Sequence, residues 1–262
     1  MSRDLPVRTG LLKNLTELHL PAMRACFEES ARRAEKETLS YEQYLLELTE
    51  RECEARDRNR IARLLKESSL PQEKTMANFD LKRLPVKVSR QLKVLLDGGF
   101  LDRKENLLLF GNPGAGKSHL LCALAQELVT QGRRMKYTSC VLLVQDLLAA
   151  KRDLRLSKEI KKLARYDGLI IDEMGYVQQS REEMEVLFTL LAERYERGSV
   201  MLTSNLPFSK WEEIFKDPMT TAAAIDRLVH HSVIVELNIP SYRMEQAQKE
   251  RETTTDAGTA AA

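Results

Sequence analysis

The clearest chemistry in this 262-residue sequence lies in eight consecutive residues, 111–118. They fit the phosphate-loop pattern G-x-x-x-x-G-K-[ST] at every fixed position. Glycines let the backbone wrap an anion closely, and amides of the loop and of the following helix N-terminus supply positive potential. Lys117 can then reach the β- and γ-phosphates, and the Ser118 hydroxyl can hold Mg²⁺. The predicted nucleotide-binding residues here are Gly111, Asn112, Pro113, Gly114, Ala115, Gly116, Lys117, Ser118 and the adjoining His119.

Two adjacent carboxylates follow an apolar strand pattern farther along the chain. Asp172, at the carboxyl edge of that strand, can hold Mg²⁺ through its water shell. Glu173 points elsewhere and can polarise an attacking water as a general base. An apolar run ending in Asp-Glu is common by itself. Its position behind a phosphate loop in an α/β pattern favours the functional interpretation.

Two further polar residues are candidates for catalysis. Asn205 ends another apolar strand pattern and can hydrogen-bond the γ-phosphate or the attacking water; the alternative is a simple turn residue. Arg227 lies in a predicted helix, and an arginine placed against a neighbour's γ-phosphate would stabilise charge in the transition state. The alternative for Arg227 is an intramolecular salt bridge with Asp226 or another acid.

Two groups of basic residues are candidates for contact with DNA phosphates. The denser group lies at 151–165, between the second and third predicted strands. Sequence-independent DNA binding needs clustered Lys and Arg rather than base readers. The second group is the basic half of a predicted helix at 41–66, and a solvated helix face is the alternative for both groups. The predicted contacts are Lys151, Arg152, Arg155, Lys158, Lys161, Lys162, Arg56 and Arg60.

The elements that must position these residues alternate between strands and helices from residue 106 onward. Each apolar run is short and lacks polar alternation, as expected of strands covered on both faces. We therefore predict an α/β fold, a three-layer α/β/α P-loop core with a parallel five-stranded sheet. The predicted strands are 106–110, 135–140, 168–172, 200–204 and 233–237.

Apolar residues at helical spacing predict a separate, all-α region before this core. Within it Ser40 and Gln43 have the spacing of a capping box at the start of the helix at 41–66. We predict a helical DNA- or partner-binding domain at 1–68, a linker at 69–84 and an ATPase domain at 85–244. The polar tail at 245–262 is predicted to be disordered.

Bulk composition narrows the functional class. Lys and Arg number 41 and Asp and Glu 39, so a case for DNA binding rests on local clusters rather than on net charge. The four cysteines are scattered, which disfavours a disulfide framework or a metal–thiolate site. The sequence has neither an apolar run of membrane-helix length nor a signal-peptide pattern, so we expect a cytoplasmic protein with no membrane partner.

Taken together, the motifs resemble a known family. The loop GNPGAGKSHL and the strands GLIIDEMGY and VMLTSN resemble AAA+ ATPases of the initiator and helicase-loader group. Phe79-Asp80, the segment AIDRLVHH at 224–231 and Ser241-Tyr242-Arg243 narrow this to the IstB-like family, the ATP-binding helpers of insertion-sequence transposons. The resemblance covers roughly residues 10 to 245, and the loop and the DRL-x-HH segment favour this family over other members.

The resemblance implies a role for each motif. The loop at 111–118 would be the Walker A motif, and Asp172 and Glu173 the Walker B pair. Asn205 would be sensor 1, and Arg227 an arginine finger acting in trans. Phe79 would join the nucleotide site, and Arg243 would take a sensor-2-like place. Too few residues follow Arg243 for a full C-terminal lid, a shortening shared with DnaC-like proteins, which puts a conventional sensor-2 role in doubt.

The resemblance also implies partners, namely duplex DNA held by the basic insertion, a transposase and further copies of the same chain. We therefore expect an ATP- and Mg²⁺-dependent switch that assembles on duplex DNA, largely independently of sequence, and recruits or activates the transposase, with hydrolysis resetting the assembly. A DnaC-like replicative helicase loader would have the same ATPase domain and remains an alternative. A small-molecule P-loop kinase is a third, disfavoured by the Asn205 and Arg227 positions.

Overall fold

Regular structure begins with three helices at the amino end of the chain. In this computed structural model, residues 4–175, 180–215, 217–242 and 244–245 are described. The helices are α1 (Asp4–Glu17), α2 (Pro21–Glu37) and α3 (Tyr41–Ser68). The chain divides into two compact units, Met1–Arg63 and Leu64–Ala262, so the boundary falls inside α3.

A buried carboxylate organises the first unit. Glu52 on α3 accepts hydrogen bonds from the backbone N–H groups of Ala22 (2.8 Å) and Met23 (3.1 Å), in the first turn of α2. It thereby caps a helix whose own N-cap residue makes no side-chain cap bond. Burial raises the pKa of Glu52, but the bonds from these amides and from Arg56 outweigh it, and the pKa lies below its ordinary value.

The predicted capping box at the start of α3 is confirmed. The backbone N–H of Ser40 donates to Gln43 Oε1 at 2.9 Å, and the backbone N–H of Gln43 donates to Ser40 Oγ at 3.2 Å. Two amides at the helix start, which have no partner within the helix, are satisfied reciprocally in this way.

The second unit alternates between strands and helices. Its helices are α4 (Val86–Leu96), α5 (Gly99–Asp102), α6 (Lys117–Thr130), α7 (Cys140–Arg152), α8 (Leu156–Leu163), α9 (Arg181–Arg194), α10 (Glu212–Phe215) and α11 (Pro218–Val229). Its strands are β1 (Asn106–Gly111), β2 (Met135–Ser139), β3 (Gly168–Met174), β4 (Ser199–Ser204) and β5 (Ser232–Leu237). Across the part of the chain that the structure describes, no helix combines the length and apolar character needed to span a membrane.

The five strands form one parallel sheet in the order β2-β3-β4-β1-β5. This confirms the predicted α/β class and five-stranded parallel sheet. The predicted second strand ends one residue early, because Ser139 accepts a hydrogen bond from the backbone N–H of Leu142 and caps α7. The sheet order places the carboxyl ends of β3, β4 and β1 side by side, where parallel α/β proteins bind ligands.

Both faces of the sheet are buried, as the continuous apolar strands predict. Leu107 and Leu109 of β1 pack with α4 and α6 in one core cluster. Leu108 and Phe110 point to the opposite face and pack with α7, α9 and α11 in another. Neighbouring side chains along β1 therefore alternate between two hydrophobic cores, one on each face of the sheet.

The segment at 69–84, which we predicted as a linker, belongs to the second unit and packs against its core. Leu70 and Leu84 are buried in the core cluster that contains α6. The Gln126 side chain on α6 donates to the carbonyl oxygens of Pro71 (2.8 Å) and Lys74 (3.1 Å). These contacts hold the segment in place, because two of its leucines are buried and two of its carbonyls are satisfied by α6.

Arg194 is a buried cation that closes the amino-end edge of the sheet. It is 2% exposed and donates to the carbonyl oxygens of Leu163 (2.8 Å), Tyr166 (3.1 Å) and Ser199 (2.9 Å). Burial lowers the pKa of its guanidinium to about 10. The planar fork of donors suits this site, since several carbonyls must be reached at once.

We expect Arg194→Lys to lower the free energy of unfolding by about 3 kcal/mol, because an ammonium cannot satisfy all these buried carbonyls. Urea denaturation measures the change. Arg197→Lys is the matched control, since Arg197 is exposed and pairs with Glu193 one turn away. Equal effects of the two substitutions would contradict the structural role of Arg194.

Candidate nucleotide-binding site

The phosphate loop joins β1 to α6, and its glycines take conformations that other residues rarely adopt. Gly114 and Gly116 have φ angles of +80° and +87°. A Cβ atom at Gly116 would lie 3.0 Å from the Phe79 ring, so a side chain there would be strained and crowded. Gly116 directly precedes α6, and the amides of the first helical turn therefore open toward the loop.

Lys117 and Ser118 begin α6 and point in different directions. Lys117 is 5% exposed, and its ammonium donates to the carbonyl oxygens of Gly111 and Asn112, both at 2.9 Å. The Ser118 hydroxyl donates to Asp172 Oδ1 at 2.7 Å. The fold thus brings together the loop serine and the carboxylate at the end of β3, the two residues that the sequence analysis assigned to Mg²⁺.

Asp172 is the meeting point of three hydroxyl groups. It is 3% exposed, and besides Ser118 it accepts hydrogen bonds from Thr203 Oγ1 on its Oδ1 and from Tyr137 Oη on its Oδ2 at 2.8 Å. Burial and the neighbouring Asp172 carboxylate raise the pKa of Tyr137 above its ordinary value. Tyr137 was missed from the sequence. Its signal was a polar aromatic near the end of a strand, and that signal has meaning only once β2 is known to lie beside β3.

Glu173 faces the opposite way from Asp172. It is exposed, and its φ of +63° is unusual for a residue with a side chain. Its backbone N–H donates to Thr203 Oγ1 at 2.9 Å, so the hydroxyl that contacts Asp172 also holds the turn at Glu173. Strained backbone of this kind is found at functional sites, where surrounding contacts maintain it.

A cavity of about 250 Å³ opens in front of the loop. Its walls are the loop residues 113–119, Glu173, and parts of the segments 74–83 and 239–242. Phe79 packs edge-on against His119, with ring centroids 5.3 Å apart. The predicted residues Phe79 and His119 therefore lie at the cavity, and together they give one part of its wall an aromatic character suited to a nucleobase.

The segment after β5 also contacts the loop. The backbone N–H of Tyr242 donates to the carbonyl of Gly114 at 3.0 Å. Arg83 pairs with Glu245 at 2.9 Å, and its guanidinium lies 5.1 Å from the centre of the Tyr242 ring. Arg83 was not predicted as a site residue and Tyr242 was named only as part of the family motif, because contact between segments so distant in sequence has no local pattern. The predicted Arg243, and the tail from residue 246 onward, lie outside the described residues.

Asn205 follows β4 in a half-buried position. Its side-chain oxygen is buried and accepts no hydrogen bond from the described residues. A buried carbonyl oxygen without a donor is costly and points to a partner, such as an ordered water or a ligand. Asn205 is not among the described residues that line the cavity.

Arg227 lies beside the amino end of β1, at the opposite end of that strand from the phosphate loop. Its guanidinium donates to the carbonyl of Ala223 at 2.9 Å and lies 4.8 Å from the centre of the Phe188 ring. Its carbonyl accepts from the Asn106 side chain, at the amino end of β1, whereas Gly111 is at the carboxyl end. The six-residue strand separates Asn106 from Gly111 by roughly 17 Å. The alternative for Arg227, an ion pair with Asp226 or another acid, is not found among the described residues.

The basic residues predicted to contact DNA differ in their surroundings. Arg152, Lys158 and Lys161 are exposed at the end of α7 and on α8. Three others have acidic partners, with Lys151 pairing with Glu185, Arg155 with Asp153 and Lys162 with Glu159. In the first unit, Arg56 donates to Glu52 and to the carbonyl of His19, so it helps to hold the helices together. Arg60, one turn farther along α3, is exposed.

Sequence comparison places these features in a family. The model of the IstB-like ATP binding protein family matches residues 13–250. An insertion sequence ATP-binding protein of Sinorhizobium fredii is 40% identical over 243 residues, covering 92% of this chain and 81% of that protein. The ATP-binding protein of insertion sequence IS5376 from Geobacillus stearothermophilus is 36% identical over 239 residues, covering 91% of this chain and 95% of that protein.

Solved structures share the fold of the second unit. AMPPCP-bound DnaA from Aquifex aeolicus superposes with a TM-score of 0.54 at 19% identity, covering 71% of this chain and 56% of that one. The DnaC helicase loader superposes with a TM-score of 0.55 at 14% identity, covering 64% of this chain and 98% of that one. At these identities the likeness concerns the fold.

We expect Tyr137→Phe to lower the free energy of unfolding by about 1–2 kcal/mol, because it removes a donor from the buried carboxylate of Asp172. Thermal or urea unfolding measures the loss. Tyr166→Phe is the control, since the Tyr166 hydroxyl has no hydrogen bond to the described residues. If the two substitutions had the same small effect, the Tyr137 bond would not stabilise Asp172.

Proposed function

This chain belongs to the IstB-like ATP-binding family and is an AAA+ ATPase, and we propose that it controls a transposase by assembling on duplex DNA in its ATP-bound state. Hydrolysis would reset the assembly. The observation that carries the proposal is the convergence of Ser118, Asp172 and Glu173 at the mouth of a phosphate loop. That arrangement supplies both a binding site for a triphosphate and a base for its hydrolysis.

The donor set at this point fits Mg²⁺. Ser118 Oγ and Asp172 Oδ1 are hard oxygen ligands, 2.7 Å apart, at the open end of the loop. Ser118 would bind the ion directly and Asp172 through its water shell. When bound, Mg²⁺ would neutralise charge on the β- and γ-phosphates. Lys117 and the amides at the start of α6 would bind the same phosphates from the other side.

Two residues would act on the attacking water. Glu173 lies on the cavity wall with its carboxylate exposed, and it would take the proton as a general base. Asn205 has a buried side-chain oxygen without a donor among the described residues, and it would orient the water or the γ-phosphate through its amide. Thr203 contacts Asp172 and the Glu173 backbone, and so positions both acids.

The position of Arg227 favours an oligomer. Because it lies at the opposite sheet edge from its own phosphate loop, it would complete the site of a neighbouring subunit. A head-to-tail contact of this kind generates a ring or a helical filament rather than a closed dimer. In such an assembly, Arg227 would stabilise charge on the γ-phosphate as it leaves.

The exposed cations of α7 and α8 support DNA binding. Arg152, Lys158 and Lys161 lack acidic partners among the described residues, so their charge is available to phosphates. Ile160 is buried, which anchors α8 to the second unit and leaves its cationic face outward. Contact with the backbone alone would be largely independent of sequence. We assign the remaining interactions, with DNA and the transposase, to the helical region at 1–68.

The first test separates nucleotide binding from hydrolysis. We expect Lys117→Ala to abolish ATP-dependent assembly on duplex DNA, because the triphosphate loses its main cation. Glu173→Gln should retain ATP-dependent assembly but slow hydrolysis by about 100-fold or more, since the general base is lost. Sedimentation with duplex DNA and phosphate release measure the two properties. Assembly that persisted in Lys117→Ala would show that ATP does not control it.

The second test asks whether sites are shared between subunits. We expect Arg227→Ala and Lys117→Ala each to be inactive alone. In a one-to-one mixture, about a quarter of the interfaces would pair an intact loop with an intact Arg227, and ATPase activity should reappear in proportion. Activity that remained absent in mixed oligomers of confirmed assembly would contradict action in trans.

A further inference from the structure

Three cationic side chains line the nucleotide cavity, namely Lys74, Arg83 and Lys117. Lys117 donates to two carbonyls of the loop, and Arg83 pairs with Glu245. The Lys74 ammonium has neither a carboxylate nor a carbonyl partner within the ranges that the structure describes. Of the three cations on this wall, Lys74 is therefore the one without a protein carboxylate or carbonyl to bind its charged group among the described residues.

The backbone of Lys74 is held against the helix that begins at the phosphate loop. Its N–H donates to the carbonyl of Pro71 at 3.3 Å, and its own carbonyl accepts from Gln126 on α6 at 3.1 Å. Gln126 also bonds to Pro71. The side chain is thus carried by a fixed segment rather than by a free loop, which lowers the entropy cost of ligand contact.

The Lys74 side chain extends toward the end of the cavity where hydrolysis would occur. Its Nζ lies 6.0 Å from the centre of the Tyr137 ring, at the limit of a cation–π contact. The hydroxyl of the same ring donates to Asp172. Arg83, by contrast, lies beside Tyr242 and the segment after β5. The two cations therefore belong to different parts of the cavity, and Lys74 is the one beside the ring whose hydroxyl contacts Asp172.

We propose that Lys74 binds the terminal phosphate of ATP and thereby makes the site discriminate between ATP and ADP. This assignment rests on the proposed function of the site as an ATP switch. An ammonium is a compact point charge that pairs strongly with phosphate oxygens. Because ADP lacks the γ-phosphate, it would leave Lys74 as it is in the nucleotide-free chain. Lys74 would thus add a contact within the subunit to the one that Arg227 supplies from its neighbour.

The test compares ATP and ADP affinities of the full chain by equilibrium titration in the presence of a chelator, which prevents hydrolysis and removes any effect on metal binding. We expect Lys74→Met to weaken ATP binding by about tenfold to a hundredfold, the loss of one charge-assisted hydrogen bond. The affinity for ADP should change less than about twofold, which also verifies the fold. Lys74→Arg should retain most of the preference for ATP.

Lys82→Met is the matched control, because Lys82 is an exposed lysine of the same segment that does not line the cavity. Equal losses of ATP and ADP affinity in Lys74→Met, or no loss of either, would overturn the assignment. Wild-type protein that bound neither nucleotide, with the chelator or with Mg²⁺, would overturn the proposed function as well. If Lys74→Met lost its preference for ATP as expected but the wild-type protein failed to assemble on DNA with ATP and Mg²⁺, the role of Lys74 would be supported and the proposed switch contradicted.

Discussion

The architecture of the site depends on the cost of burying one carboxylate. Asp172 is almost inaccessible to water, and a buried charge is tolerated only where polar groups replace its hydration. Here three hydroxyls do so, and they come from the start of α6, from β2 and from β4. The sheet order supplies them, because β3 lies between β2 and β4 and all strands end at the same edge. Asp172 thereby connects the sheet, the phosphate loop and the acidic pair through its hydrogen bonds.

The same contacts place the two adjacent acids in different surroundings. Asp172 is held inside by its donors, whereas Glu173 is turned outward by a backbone that only surrounding contacts maintain. Thr203 touches both, since its hydroxyl donates to one acid and accepts from the amide of the other. Preorganisation of this type means that the two acids need not be rearranged when a ligand binds, so binding energy is not spent on arranging them.

Local sequence patterns were enough to predict the phosphate loop, the five strands and the acidic pair, because each is encoded by neighbouring residues. The capping box at Ser40 was predictable for the same reason. Tyr137 and Lys74 were not, because their importance depends on the strand order and on the path of the segment at 69–84. The clusters of basic residues were also ambiguous as evidence for DNA contact, because Arg56, a predicted contact, pairs with Glu52. Sequence shows that a residue is charged but not which partner neutralises it.

The separation of Arg227 from its own loop has a consequence for how such a protein can be regulated. Under the proposed function, each subunit would carry both a nucleotide pocket and the cation for a neighbour's pocket, with the Arg227 backbone beside the amino end of β1 and the phosphate loop at its carboxyl end. Rigid sheets transmit position well because their interiors are close-packed. In the proposed assembly, a change at one edge, such as the presence of a γ-phosphate, would therefore alter the position in which the next subunit docks. Hydrolysis would then be a property of the assembled interface, and in the proposed assembly a DNA duplex that contacts many subunits would promote the reaction.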